Sequence, residues 1–289
     1  MEYIKPWSDI FIKFLFGTIE NNDILLSFIN AVLQSKGYDR IVQVEVKNPF
    51  NVKEFQLDKE SILDVKAEDE NGRLYNIEVQ AVEQGYFVNR SLYYWSTVYA
   101  SQLKEAQVYS TLTPVISINL LNFNLFETIE TFHTLFLLQE KDLNLILTDH
   151  LSIHYIELKK LHEVHSTLEK FLYWIKYEGK EDAMLATLIK DNEVLNKAHK
   201  QYEKFSSDDT MRDLYLRREM YVRDTLSAIE YAEKQGELKG KIEGKIEGKI
   251  EGKIEGKIEV ARKLLNQNVS IELIADVTGL SVEKIQSLK

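Results

Sequence analysis

The stretch SILDVKAEDENGRLYNIEVQA, residues 61–81, decides how this chain folds. Two runs of alternating apolar and polar residues, Ser61–Ala67 and Leu74–Ala81, flank Glu70-Asn71-Gly72. Asn-Gly between two such runs is a hairpin signal. Successive side chains of a strand point to opposite faces. Leu63, Val65 and Ala67 therefore share one face of the first run, and Asp64 and Lys66 the other. On the second run Tyr75, Ile77, Val79 and Ala81 share a face, with Asn76, Glu78 and Gln80 opposite. A two-residue Asn-Gly turn would set Val65 across from Glu78 and mismatch the faces. A three-residue Glu70-Asn71-Gly72 loop, with its glycine left-handed, sets Asp64 across from Glu78 and aligns the apolar sets. We expect the second register. Opposed residues have Cβ atoms about 4.5–5.5 Å apart, so two carboxylates there repel unless a cation lies between them. Hard divalent ions such as Mg2+ or Mn2+ suit oxygen ligands.

Upstream, Asp9–Phe16 places Ile10, Phe11, Phe14 and Leu15 on one helical stripe, and Asn22–Gln34 repeats the pattern with Ile24, Leu25, Phe28, Ile29 and Val32. Ile41–Val46 reads as a strand. Downstream, Asn89–Leu103 reads as a helix whose Tyr93, Trp95 and Tyr99 are expected in the core rather than as base-stacking platforms. Pro114–Phe123 is a largely apolar run, as a buried strand requires. Thr131–Leu138, Leu143–Leu147 and Ser152–Leu158 read as further strands, and residues 161–235 as helix broken near Gly179 and Ser206. The expected architecture is α/β, a mixed sheet flanked by helices over residues 1–160. A helical region (161–235), a repeat segment (236–259) and a small helical tail (260–289) follow.

The chain has 289 residues and a net charge of −10, a poor match to a protein that coats nucleic acid broadly, though a local site is compatible with it. It has no cysteine, which excludes disulfides and thiolate metal sites. Met1–Trp7 lacks a basic stretch followed by an apolar run, and no long apolar span occurs, so neither a signal peptide nor a membrane partner is expected. A cytoplasmic location is the expectation.

Residues 240–259 are GKIE written five times. In an α-helix each four-residue step turns about 400°, so Ile242, Ile246, Ile250, Ile254 and Ile258 form a stripe drifting about 40° per copy in the right-handed sense. The glycines lie roughly opposite and cost about 1 kcal/mol each against alanine. A fraying connector and a self-associating helix both fit; the second would make a homo-oligomer through the repeat or the helical region. In the tail, Ser270 and Ser281 sit where helix caps belong, and Ala275, Gly279 and Ile285 have the spacing of a helix-turn-helix unit. A DNA reader and a small interaction module both fit it.

Simple structural readings exist for the charged residues. Asp64 and Glu78 could pair with Lys66 or Arg73 on an exposed strand face, and Asp9 with Lys13 one helical turn away. His150 and His154, or His162 and His165, make a poor zinc site, because residues four apart on a strand lie too far apart to share an ion.

The hairpin resembles the PD-(D/E)XK nuclease superfamily, in which an Asp closes one strand and an acidic-x-Lys motif lies on the next, antiparallel strand. The corresponding residues are Ile62-Leu63-Asp64 and Glu78-Val79-Gln80. The resemblance tightens to the Rpn family of recombination-promoting nucleases and transposases through Ser8–Gly17, Ile62–Ala67, Asn76–Gln80, and Arg90 with Tyr94, and further on through Thr148-Asp149-His150 and Ile156–Lys159. It implies metal-dependent cleavage of DNA phosphodiester bonds, with Asp64 and Glu78 holding Mg2+ (or Mn2+). The ion would polarise the phosphate, activate a water and neutralise the leaving oxygen. Gln80 stands where the superfamily carries lysine; its amide can orient a water or a phosphate but supplies no charge. Lys66 is the candidate substitute cation and Asp9 a candidate auxiliary acid. Lys13, Arg90 and Tyr94 are candidate DNA contacts. The alternative is a nuclease fold without useful catalysis that binds DNA or self-assembles. A strand-transfer enzyme is a third reading, for which no further acidic motif speaks.

Overall fold

The computed structural model of the chain describes residues 3–51, 65–83 and 85–288. Its centre is a hairpin of β2 (Val65–Asp69) and β3 (Leu74–Gln80). The pairing is Val65↔Ile77, Lys66↔Asn76 and Ala67↔Tyr75, the register that the three-residue loop demands. Gly72 takes φ +75°, a conformation that costs a residue without Cβ least. The buried Asp69 carboxylate holds the turn: it accepts the N–H groups of Asn71 (2.9 Å) and Arg73 (3.0 Å), the Tyr75 hydroxyl (2.8 Å) and the Arg73 guanidinium (2.7 Å). Arg73 is thereby engaged on Asp69, not on Glu78, which the simple structural reading offered as one of its partners.

The sheet grows outward from this hairpin in the order β1-β2-β3-β4-β6-β5. β1 (Val44–Val46) runs antiparallel to β2; β4 (Val115–Leu121) is parallel to both β3 and β6 (Leu151–Glu157); and β5 (His133–Leu137) closes the far edge antiparallel to β6. Every residue of β4 is buried, as a central parallel strand covered on both faces requires. One face carries α1 (Asp9–Gly17) and α2 (Asn22–Gln34), joined by α4 (Thr167–Tyr177), α5 (Ala183–Asp191) and α6 (Glu193–Ser207), around a core built on Phe11, Phe16, Phe28, Phe171, Trp174 and Phe205. The other face carries α3 (Phe87–Ala100), the crossover between β3 and β4, over Phe87, Leu121, Phe123, Ile153 and Tyr155. Local capping marks the helix starts: the Ser8 side chain accepts the Phe11 N–H, and Ser166 with Glu169 forms a capping box.

Two sequence expectations fail here. Leu143–Leu147 forms no strand of the sheet; β5 is already the edge, Asn144 takes φ +56°, and the segment folds back on itself through Leu147 N–H to Leu138 O (3.0 Å) and Glu140 N–H to Leu145 O (2.8 Å). Tyr93 is not in the core: α3 meets the sheet through Phe87, Ser91 and Trp95, which leaves Tyr93 67% exposed. Trp95 and Tyr99 do pack, stacked at 5.1 Å and tied to Val115 O and His150.

The chain divides into two compact units at residues 218 and 219. The second contains most of α7 (Asp209–Asn266), which stays helical through all five GKIE copies, then α8 (Ile271–Thr278) and α9 (Val282–Gln286) around Ala261, Ile274 and Ile285. Ser270 and Ser281 cap the last two helices and Gly279 ends the first of them at φ +65°. Along the repeat Ile242, Ile246, Ile250 and Ile254 are exposed, and a Cβ added at any glycine of the repeat would meet nothing within 4 Å. Lys and Glu recur two and six residues apart there, so no i,i+3 or i,i+4 pair of opposite charge arises inside it. Among the described residues no helix is long and apolar enough to cross a membrane.

One buried polar cluster sits beneath β5 and β6. His133 Nε2 and His154 Nδ1 share a hydrogen bond (2.9 Å), and Ser35 Oγ meets His133 Nδ1 (2.9 Å). Burial, then the neighbouring His154 and Lys36, hold the His133 pKa down at about 2; burial and Lys36 hold His154 at about 3. Both rings are neutral in the fold and take up protons near pH 6.5 once unfolded. The stability they lend is therefore present above about pH 6.5 and is lost as pH falls below it, by up to about 1.4 kcal/mol per pH unit for each ring. Urea midpoints measured downward from neutral pH should fall, and His133→Gln should flatten that slope. In α7, Gly244→Ala, Gly248→Ala and Gly252→Ala should each stabilise the helix by about 1 kcal/mol. Far-UV circular dichroism of the whole chain should then show helix loss at higher temperature; an unchanged melt contradicts this.

Candidate functional site

The polar face of β3 carries Asn76, Glu78 and Gln80, and parallel pairing extends it to Ser117 and Asn119 on β4. Glu78 and Gln80 lie two residues apart and so share a face near the carboxyl end of a strand, where open α/β sheets commonly bind ligands. The chain then turns through Tyr86, which takes φ +70°, and enters α3. This turn places Arg90, one helical turn into α3, over both side chains. Arg90 Nη2 donates to Glu78 Oε1 at 2.9 Å and to Gln80 Oε1 at 2.8 Å. Gln80 Nε2 donates to Val82 O (2.9 Å), which fixes the amide with its oxygen toward Arg90. The ion pair is mostly sheltered: the Glu78 side chain is 13% exposed and that of Arg90 28%. The guanidinium also lies 4.9 Å from the Phe87 ring centroid and 6.0 Å from that of Tyr94, within cation–π range.

Behind Glu78 the face is polar and buried. Asn119 donates to His154 O (3.1 Å) and to Ser117 Oγ (3.3 Å), and the Tyr155 hydroxyl meets Ser91 Oγ of α3 at 2.5 Å. Burial, reinforced by Glu78, pushes the Tyr155 hydroxyl up while its Ser91 hydrogen bond pulls the other way, so it stays protonated. Asn119 and Tyr155 were not anticipated. The sign in the sequence was the alternation of Ser117 and Asn119 within an otherwise apolar strand, which marks a second polar stripe beside the first.

The expected site residues fall into groups. Glu78, Gln80, Arg90 and Tyr94 come together. Asp64 lies outside the described residues; the register selected for it holds from Val65 and Ile77 onward. Lys66 stands across from Asn76 on the same polar face, and its backbone N–H donates to Asn48 Oδ1 (2.7 Å). Lys13 is buried and donates to Asn48 O (2.9 Å), so the segment after β1 is strapped between α1 and β2. Asp9 pairs not with Lys13 but with Arg218 of α7, whose Nε and Nη2 lie 2.7 and 2.6 Å from Asp9 Oδ2. Among the ion pairs of the described residues Glu78 meets neither Lys66 nor Arg73; it pairs with Arg90. Among the described residues no cluster of three or more His, Asp or Glu side chains is arranged to hold a metal ion. His154 is taken by His133 and His150 by Tyr99. Glu157 accepts from Lys160 (2.8 Å) and from the N–H groups of Leu125 and Phe126, a buried brace beneath the loop after β4.

If Asp9 is a clamp between α1 and α7, Asp9→Asn and Arg218→Gln should each lower the melting temperature. The double variant should cost less than their sum, with a coupling of about 1 kcal/mol. Strictly additive losses would rule the clamp out.

No curated protein and no solved structure matches the chain. The family model described as PD-(D/E)XK nuclease family transposase matches residues 6–232, a span that takes in the whole sheet, the Glu78–Gln80–Arg90 cluster and the Asp9–Arg218 pair. Its extent and the six-stranded mixed sheet agree, and the chain belongs to the PD-(D/E)XK nuclease family transposases.

Proposed function

We propose that this chain is a metal-dependent DNA endonuclease acting in recombination or in the movement of a mobile element. Family membership supports the nuclease and mobile-element part of the reading. The observation that carries the rest is the convergence of a carboxylate oxygen and an amide oxygen on one cationic nitrogen, Arg90 Nη2, near the carboxyl end of β3. The donor set fits a hard divalent ion: it is all oxygen, and two of the oxygens already meet around a positive charge. In this reading Asp64 and Glu78 hold Mg2+ or Mn2+, and Gln80 helps to orient what binds beside them. When bound, the ion supplies Lewis-acid polarisation and an activated water.

The chain's own residues do the remaining work. Gln80, its amide fixed by Val82 O, presents a directed acceptor and donor to a water or a phosphate oxygen. Arg90 supplies the positive charge that Gln80 lacks, in a planar fork suited to a phosphate. Lys66, on the same face, is a second source of charge. Tyr94 is a secondary DNA contact, whereas Lys13, expected as one from the sequence, is buried on Asn48 O and serves the fold. Asp9 acts by holding α1 in place. DNA is the substrate, a second copy of the chain along the isoleucine stripe is the partner, and the cytoplasm is the location in this reading.

Supercoiled plasmid with Mg2+ tests it. The parent should nick or cut, EDTA should abolish cutting, and Asp64→Ala and Glu78→Ala should each lose at least about a hundredfold in rate while keeping their circular dichroism, a loss of the size metal-ligand removal brings. Arg90→Ala should lose more than Arg90→Lys. Equal cutting by Asp64→Ala sinks the proposal. The guanidinium seated on Glu78 also suits a protein that only binds DNA; metal-independent binding without cutting would decide for that second reading.

A further inference from the structure

α3 is unlike the rest of the molecule. From Gly85 to Lys104 the chain has no carboxylate, although the protein as a whole carries −10. The helix nevertheless shows large side chains to solvent. Tyr86 is 85% exposed, Tyr93 67% and Tyr94 41%, and Asn89, Ser96 and Thr97 around them are exposed as well. Tyr86, Arg90 and Tyr94 recur every four residues and so line one flank of the helix, the flank that reaches Glu78 and Gln80. The Tyr93 and Tyr94 rings stand 6.1 Å apart at 53°, splayed rather than stacked on each other. Tyr86 holds its exposed ring on a backbone at φ +70°, a conformation uncommon for an aromatic residue.

Rings that serve the core behave differently on the same helix. Trp95 and Tyr99 stack face to face, are half-buried and spend their polar atoms on Val115 O and His150. Tyr86, Tyr93 and Tyr94 do none of this. They offer flat faces with uncharged hydrogen-bonding groups between them, beside a guanidinium, on a helix that itself carries no carboxylate. A polyanion with planar rings meets each of these features. Paired bases present only their edges, whereas unpaired bases present faces for stacking. A duplex binder also needs many Lys and Arg contacts to phosphates, and from Gly85 to Lys104 the chain carries only Arg90 and Lys104.

We propose that the exposed tyrosine face of α3 stacks the bases of single-stranded or locally unpaired DNA, so that the site's substrate is a strand whose bases are accessible. The inference rests on reading the Glu78–Gln80–Arg90 cluster as a DNA site and narrows its substrate class. Affinity then comes from stacking more than from ion release.

Fluorescence anisotropy of the full chain in EDTA tests this, using a labelled single-stranded DNA of about a dozen nucleotides, the matching duplex and the matching RNA. The single strand should bind at least about tenfold more tightly than the duplex. Tyr93→Leu and Tyr94→Leu should each weaken binding about fivefold or more, while Tyr93→Phe and Tyr94→Phe should bind like the parent, because a phenyl ring stacks and a leucine does not. The slope of log affinity against log salt should be no steeper than about −1.5, the value for one or two phosphates. Equal binding of duplex, preference for RNA, leucine variants as good as phenylalanine ones, or no binding would each overturn the proposal. So would leucine variants that change the mass in light scattering but not the affinity, which would mark the face as a contact between copies. Cutting of intact duplex, indifferent to the tyrosines, would remove this inference and leave the endonuclease standing. Tyrosine-dependent binding without any cutting in Mg2+ would do the reverse.

Discussion

The register of the β2–β3 hairpin is the constraint on which the site depends. Side chains alternate with a period of two, so a slip of one residue would carry Glu78 and Gln80 to the face packed on α1 and α2 and send Tyr75, Ile77 and Val79 out of the core. Two things prevent the slip. Apolar residues on both strands have to meet the same core, and Asp69 gathers two backbone N–H groups, a hydroxyl and a guanidinium into one closed turn. A buried carboxylate with four donors is costly to disturb, since each orphaned partner would stay away from water. The polar stripe of β3 is thus placed by a turn at the opposite end of the strand from Gln80.

The sheet separates two kinds of packing. One face is a large aromatic and aliphatic core in which helices far apart in sequence interlock, Phe11 meeting Tyr202 and Phe205 edge-on at 5.4 and 5.3 Å. Among the described residues the other carries one helix, α3, with Leu125 and Phe126 of the loop after β4 beside it, over a small cluster. A helix that covers a sheet alone can bury only one flank, and its remaining surface stays open to whatever approaches β3. Dense helical packing on one side and an exposed helix flank on the other follow from the same topology, because the β3–β4 crossover passes over one face only.

Much of this was legible in the sequence, and what was not has physical reasons. Alternation and turn chemistry are local, so the hairpin, its register and the Ser270 and Ser281 caps could be read directly. Helical periodicity located α1, α2 and α3 to within a few residues. The partner of Asp9 was not legible, because Arg218 lies 209 residues away and nothing local prefers it to Lys13. Tyr93 was misjudged because aromatic content signals burial on average, while the actual facing of α3 is set by Phe87, Ser91 and Trp95 against a neighbour that the sequence does not name. Leu143–Leu147 has the composition of a strand but pairs through an isolated antiparallel bridge, Gln139↔Ile146, instead of joining the sheet. The role of Arg90 lay between these cases: the residue was marked, but its seat on Glu78 and Gln80 depends on the turn through Tyr86.

The hydrogen bonds of Arg90 make the two sites on β3 exchangeable as a unit. A single nitrogen serves both Glu78 Oε1 and Gln80 Oε1. Another cation arriving at that carboxylate oxygen would compete with the guanidinium for it, and a guanidinium that leaves releases the amide oxygen in the same movement. Carboxylate and amide would then be vacated together, and a divalent ion in that place would bring one more positive charge than the guanidinium it displaced.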